Sequence, residues 1–343
     1  MRNTRRLSVH GLTVDRGGCF YYRIKQPFKA LRDRGHWATW GSTIDAETYS
    51  QSNVLVAQLL NLADTKNKWT EWCERAEKLC VWEADDDIFE VHTQPSHGNA
   101  YDNPETIPRM IEMIKASHLV TTTTTELANV YRKYNPNVVV LPNYVPNFLL
   151  NIQGSDYQQK KSLILGYTGS PSHVEDFADW SYTFSRWMEN HYHETIIRLY
   201  GSDKKPIGLP LTWRCETVGW QKMTEDYLRG LRMDVGVAPV LDTPFNRGKS
   251  GIKALEYAAI GVPSVVSDMQ QYRDTVMHEA TGFVCKTPRD WLNAYGTLWA
   301  DPGTREAMGK AGKYLVHSRW LMSKNAWRWE QEYERAMERV GIK

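Results

Sequence analysis

The stretch from Lys249 to Asp268, KSGIKALEYAAIGVPSVVSD, constrains the fold more than any other part of this 343-residue chain. Ahead of it runs Val235-Gly236-Val237-Ala238-Pro239-Val240, short and apolar, the pattern of a buried strand that ends in a loop. Ser250 suits an N-cap, Gly251 to Ile260 reads as a short helix, Gly261 supplies its stop and Pro263 follows two residues on. Val262 to Val266 is then the next strand. Strand, loop, helix, strand is the repeating unit of a parallel α/β sheet.

Chemistry follows from that geometry. The backbone N–H groups of Lys249, Ser250 and Gly251 point out of a helix start, with the helix dipole behind them. They make an anion site, to which Lys249 adds a mobile positive charge. Lys253 and Glu256 lie three residues apart and share one helix face. At ~1.5 Å per residue, Glu256 sits about 9 Å along the axis from Ser250. That is the span from a diphosphate to the ribose of the same nucleotide, and a carboxylate accepts hydrogen bonds from both ribose hydroxyls. The competing reading is a surface helix carrying a solvated Lys and Glu.

The rest of the chain repeats the same rhythm. Leu7 to Val14 reads as a first strand running into Asp15-Arg16-Gly17-Gly18-Cys19, with a helix from about Tyr22 to Asp33. Paired glycines between strand and helix let backbone approach a ligand closely, although turns also use them. Strands are expected at Leu79–Glu83, ending in Asp85-Asp86-Asp87, at Leu119–Thr123 and at Val138–Leu141. The polar stretch Asn151 to Lys161 has no apolar periodicity and reads as a linker. Beyond it, Ser162–Tyr167 meets Gly169-Ser170-Pro171-Ser172-His173, Ile196–Tyr200 ends at Gly201, and Val218-Gly219-Trp220 precedes a helix from Thr224. Helices at Pro288–Trp299, Pro302–His317 and Lys324–Val340 close the chain.

Composition narrows the class. No run approaches the ~18 apolar residues that a membrane span needs, and the charged N-terminus lacks the apolar core of a signal peptide. Five cysteines at 19, 73, 80, 215 and 285 show no C-x-x-C or Cys/His zinc spacing, so reduced cytoplasmic thiols and no structural metal are expected. Net charge is only +2, but Met1 to Arg34 carries nine basic residues against two acidic ones, a local excess of +7. Such a cluster attracts a polyanion, either nucleic acid or an acidic membrane surface, unless it is simply a solvated helix face and tail.

Taken in order, GGCFYYRI, VVVLPNYVP, LGYTGSPSH, RLYGSD, KSGIKALEYAAIGVPSVVSD and TGFVCK resemble the GT-B glycosyltransferases, in particular the retaining enzymes of glycosyltransferase family 4 (group 1). The resemblance spans nearly the whole chain. It implies two Rossmann-like doubly wound parallel-sheet lobes with a cleft between them. Residues 1–150 would bind the acceptor, 151–161 link the lobes, 162–317 bind the donor, and 318–343 form a helix crossing back onto the first lobe.

The implied reaction moves a sugar from a UDP- or GDP-sugar to a hydroxyl with retention of configuration, without metal or a tightly bound cofactor. Glu256 matches the family's ribose-binding glutamate. The second glutamate that members often carry eight positions earlier is Gly248 here, so Asn246, Arg247 and Lys249 are candidates to compensate. Lys249 would be the main diphosphate-neutralising group, with Arg247 and Lys253 in support. Gly17, Gly18, Gly169, Ser170, His173, Gly201, Trp220, Ser250 and Gly251 complete the expected donor site, with Trp220 placed to meet the base.

Asp85, Asp86 and Asp87 at a strand end are candidates to orient the acceptor hydroxyl or take its proton, with Asp85, Arg23 and His92 as acceptor contacts and Asp86 and Asp87 as catalytic groups. The same run contains the Asp-x-Asp pattern that metal-dependent GT-A transferases use, and turn capping is the bland alternative. With the basic segment in the acceptor lobe, a polyanionic acceptor such as hydroxymethylated DNA bases ranks first. A saccharide- or lipid-linked acceptor comes next. A sugar-nucleotide epimerase or a non-catalytic sugar-nucleotide binding protein are the readings outside transfer.

Overall fold

The computed structural model describes residues 6–14, 16–58, 63–91, 103–158, 161–169, 174–201 and 213–342. The chain falls into two compact units, one of residues 1–144, 248–250 and 322–343, the other of 145–247 and 251–321.

The first unit is built on a six-stranded sheet in the order β2-β1-β3-β4-β5-β6. Its strands are β1 (Ser8–Leu12), β2 (Trp37–Gly41), β3 (Val54–Gln58), β4 (Leu79–Ala84), β5 (Leu119–Thr122) and β6 (Val138–Val140), and every neighbouring pair is parallel. β3 and β4 are buried along their whole length, which explains VLVAQ and LCVWEA as near-continuous apolar runs: helices cover both faces. Trp69, Trp82, Met110, Met113 and Tyr131 fill the core on one side. The closing helix Trp327–Val340 belongs to this unit, where Trp329 packs edge-on against Tyr144 and Glu330 pairs with Arg34 and His36.

The second unit carries β7 (Leu163–Thr168), β8 (Thr195–Tyr200), β9 (Arg214–Val218), β10 (Val235–Ala238), β11 (Ser264–Ser267) and β12 (Gly282–Cys285). Their order is β12-β11-β10-β7-β8-β9, again all parallel. Renumbered within the unit, this is the doubly wound 3-2-1-4-5-6 order, with its switch point between β7 and β10. The core sits around Trp180, Phe184, Trp187, Trp213 and Tyr295. The strand β9 was not expected from sequence; its RCETV is mostly exposed at the sheet edge and gives little apolar signal.

Two local features depart from expectation, and a third had none. The helix after Gly17 opens as one tight turn and widens into a π-helical turn over Tyr21–Lys25, in which Gln26 N–H donates to the Tyr21 carbonyl, before Gln26–Asp33 continues as α-helix. The polar segment expected as a tether is held within the second unit: Gly154 N–H donates to Ile260 O at 2.8 Å, Met233 N–H to Gly154 O at 3.0 Å, and Ser155 Oγ to Asp234 Oδ1 at 2.6 Å. The threonine tract Thr121–Thr125 has distinct tasks, Thr121 Oγ1 donating to Glu83 and Thr124 capping the helix Thr125–Tyr131.

Candidate functional site

In the second unit the helix of the constraining stretch runs Ile252–Ala259, one residue shorter at each end than expected. Gly251 is its N-cap and no side chain caps it. Ser250 is therefore not the cap; its hydroxyl accepts from Asn143 Nδ2 at 2.9 Å, and Gly248 O accepts from Thr124 Oγ1 at 2.9 Å. These bonds group Gly248–Ser250 with the first unit. Gly251 must be glycine for packing: a Cβ there would stand 2.4 Å from Gln271 O and 2.6 Å from Thr275 Oγ1.

Along that helix, Glu256 is buried and Tyr227 Oη donates to its Oε2 at 2.7 Å. Burial, with the Glu256 carboxylate adding to it, holds the Tyr227 phenol well above its ordinary pKa, so it remains a donor at any working pH. Lys253 is half-buried, its ammonium 5.3 Å from the centre of the Tyr167 ring. Tyr167 and Thr168 close β7, and Thr168 N–H and Oγ1 lie 3.2 and 2.8 Å from Tyr257 Oη, which seats the helix over the sheet's carboxyl edge.

Gly169, Gly201 and Trp220, which closely follow β7, β8 and β9, meet at that edge. Gly201 has φ +87°, and a Cβ there would lie 2.7 Å from Gly169 O, so both left-handed backbone and close approach demand glycine. The six-membered ring of Trp220 borders the same point, 3.8 Å from that position, and Trp220 is 58% exposed. Gly169, Gly201 and Trp220 thus come together.

Asn246 and Arg247 do not join them as expected. Asn246 is buried, its Nδ2 donating to Asp176 Oδ1 (2.9 Å) and Leu241 O (3.1 Å), while its carbonyl accepts from Gln271 Nε2 (3.0 Å). It holds the loop in shape. Arg247 is exposed and grips Asp242 with both ends of its fork, Nε at 2.6 Å and Nη2 at 3.2 Å.

In the first unit, Gly17 starts the helix after β1, its carbonyl accepting from Tyr21 N–H at 3.0 Å. A Cβ on Gly18 would meet nothing within 4 Å, so packing does not require glycine there. Arg23 corrects the acceptor assignment. It is 1% exposed, with Nε 2.7 Å and Nη2 3.1 Å from the two Glu83 oxygens and Nη1 donating to Leu141 O (2.6 Å) and Asn143 Oδ1 (3.0 Å). A guanidinium so enclosed is structural. Arg34 pairs with Glu330, and Arg32 lies 4.7 Å from the Trp40 ring centre. Among the described residues of the +7 segment, Arg6, Arg16, Lys29, Arg32 and Arg34 are exposed, with Arg34 paired to Glu330, while Arg23 is withdrawn into the interior.

The three aspartates separate in role. Asp87 is buried and its Oδ1 accepts from Phe89 N–H at 3.0 Å, the turn-capping arrangement, so its expected catalytic role gives way to a local one. Asp86 is half-buried. Asp85 is buried, with Oδ1 lacking a hydrogen-bond partner among the described residues. Burial first, then the neighbouring Asp86 charge, push the Asp85 carboxyl up to about 7, against a hydrogen bond from Cys19. Cys19, Asp85 and Asp86 present ligand atoms that lie within 4.8 Å of one another.

With this geometry in view, the comparisons with known proteins are specific. The family model described as "Glycosyl transferases group 1" matches residues 220–314, from Trp220 through Tyr227 and the whole Glu256 helix. Residues 220–314 carry the group 1 glycosyltransferase signature. The fold is likewise that of GT-B glycosyltransferase structures. Sucrose-phosphate synthase from Thermosynechococcus elongatus aligns with a TM-score of 0.67 at 14% identity, over 97% of this chain and 100% of that one. HepE of Anabaena, solved with UDP and glucose, gives 0.66 at 11% identity, over 95% and 99%. An alpha-glucosyltransferase solved with UDP-glucose and DNA containing an abasic site gives 0.67 at 10%, over 97% and 99%. A search of curated proteins by sequence returned no match. The enzyme class, glycosyltransferase, comes from the matched segment; the solved structures add the GT-B fold.

Within this glycosyltransferase segment lie Trp220, Asn246, Arg247, Lys249, Ser250, Gly251, Lys253 and Glu256, whereas Gly169 and Gly201 precede it. His92, Ser170 and His173 fall outside the described residues. Tyr227 and Cys19 were not singled out from sequence. Tyr227 lies 29 positions from Glu256 with no motif joining them, and Cys19 was weighed only as a thiol. No helix among the described residues is long and apolar enough to cross a membrane.

Proposed function

We propose that the protein is a retaining glycosyltransferase that takes its sugar from a nucleoside diphosphate sugar, with UDP as the leading nucleotide. The observation that carries this reading is Glu256, buried on a helix whose start presents Lys249 to Gly251 and fixed through one oxygen by Tyr227. In this reading Glu256 accepts from the ribose hydroxyls, and Trp220 beside Gly201 is the platform for the base. The backbone N–H groups of the helix start, with Lys249 and Lys253, take the charge that grows on the departing diphosphate; fixed donors are most effective where charge develops. Transfer breaks the bond from the sugar's anomeric carbon to the diphosphate oxygen and forms one to the acceptor oxygen on the same face. The acceptor's proton passes to the departing phosphate oxygen. Asp85, poised near neutrality, is the carboxyl that orients the acceptor hydroxyl.

The acceptor we place first is a polyanion with a free hydroxyl, such as a hydroxymethylated base in DNA. The fold shared with the DNA-bound alpha-glucosyltransferase supports it, as do the exposed Arg6, Arg16 and Lys29. A saccharide- or lipid-linked acceptor is the second reading, favoured by the internal pairing of Arg23 and Arg34.

The test incubates pure protein with a panel of nucleotide sugars and measures diphosphate release, with hydroxymethylated DNA, plain DNA or a saccharide as acceptor. Release dependent on hydroxymethyl groups supports the first reading. Release with saccharide alone supports the second, and conversion of donor without acceptor overturns both. Glu256→Ala should weaken donor binding with the fold intact; unchanged donor affinity removes Glu256 from the site.

A further inference from the structure

Among the described residues, one group of side chains has the composition of a metal site, and its members lie in the first unit and outside the matched segment of the sequence. Cys19 stands in the first helical turn after Gly17, and Asp85 and Asp86 follow β4. Their thiol and carboxylate ligand atoms are all within 4.8 Å of one another. Two like charges and a thiol gathered so closely repel when ionised, and the neighbouring guanidinium of Arg23 is already held by Glu83. A second observation points to a ligand. Asp85 is 9% exposed, yet its Oδ1 has no hydrogen-bond partner among the described residues. A buried orphan acceptor calls for a proton, a water or a cation.

We propose that Cys19, Asp85 and Asp86 form a three-ligand site for a thiophilic divalent cation of the Zn²⁺ type. The donor set selects the ion. Thiolate with carboxylate suits Zn²⁺, whereas Mg²⁺ and Ca²⁺ prefer oxygen-only shells of higher coordination. Three protein ligands leave a fourth position for water or a hydroxyl. The bound ion takes up the repulsion between the two carboxylates and displaces the thiol proton. Binding requires nothing of the proposed transfer reaction. One consequence does rest on that reading: if Asp85 orients the acceptor, the ion occupies the acceptor's partner and inhibits transfer.

The test uses the full chain, freed of metal by a chelator and titrated with Co²⁺, reading the thiolate-to-cobalt charge-transfer band. Zn²⁺ is then added in competition with a chromophoric chelator to give affinity and stoichiometry. The expected result is one ion per chain, a charge-transfer band that Zn²⁺ abolishes, and no displacement by Mg²⁺ at equal concentration. Cys19→Ser should remove the band, and Asp85→Asn should weaken Zn²⁺ binding by more than about tenfold. Melting in the presence of chelator checks that each variant folds, and the half-buried Asp86→Asn replaces whichever does not. No band, a band that survives Cys19→Ser, or displacement by Mg²⁺ would overturn the proposal. If Zn²⁺ binds as expected but leaves transfer unchanged, the site stands and the acceptor role of Asp85 falls.

Discussion

Replacing Tyr227 by Phe removes one oxygen and keeps the ring that packs edge-on against Tyr200 at 6.4 Å. The lost bond is the 2.7 Å donation to Glu256 Oε2. A hydrogen bond to a charged group contributes ~1.5–3 kcal/mol. Expressed wholly in ligand affinity, that is about 10- to 150-fold at 1.36 kcal/mol per decade. Titration calorimetry with a nucleoside diphosphate and with its 2′,3′-dideoxy form separates orientation from general damage. If Tyr227 aims Glu256 at the ribose, the variant loses about tenfold or more for the ribose form and almost nothing for the dideoxy form. Equal losses for both ligands would show that Tyr227 only supports the fold. No loss for either, with Glu256→Ala still impaired, would show that the carboxylate holds its position unaided.

Three further outcomes can be checked. Because the Asp85 carboxyl is raised to about 7 in the folded protein, the native state holds a proton that the unfolded chain releases near pH 4. The stabilisation this gives is complete below the unfolded pKa and is lost as pH rises to 7. Asp85→Asn should therefore be more stable than the parent at pH 8, by up to about 4 kcal/mol, with the gap closing toward pH 4 in urea unfolding; a pH-independent gap would contradict the assignment. Arg23→Met should destabilise the first unit by ~3–5 kcal/mol, since it strands the buried Glu83, while Arg23→Met with Glu83→Met should recover most of that. Denaturant titration decides between them. Gly251→Ala forces a Cβ to within 2.4 Å of Gln271 O and should cost ~1–3 kcal/mol together with donor affinity; a variant with parental melting and binding would refute the packing argument.

The strand-and-helix alternation was legible because both sheets are parallel and covered, so their inner strands are apolar throughout and their crossovers are helical. The Ile252–Ala259 helix was legible from its glycine and proline punctuation. Charge was where reading by segment failed. Arg23 and Arg34 count as surplus positive charge in residues 1–34, yet their counter-ions Glu83 and Glu330 lie 60 and 296 positions away. Asn246 looked like a ligand contact because it neighbours the helix start; its partner Asp176 is 70 positions distant. Polar side chains advertise their chemistry in sequence but not which atom satisfies them, and the same holds for the bond that steadies Glu256.

The π-helical turn at Tyr21–Lys25 has a consequence for chain length. It accommodates one residue more than an α-helical turn would, and each residue in a helix rotates its neighbours by about 100°. Deleting a single residue there would turn Arg23 away from the Glu83 carboxylate and Cys19 out of step with Asp85, whatever residue type were removed. Substitutions that only trim side chains should be tolerated far better, so a scan of single deletions against single alanines across this turn would reveal a segment whose count matters more than its composition.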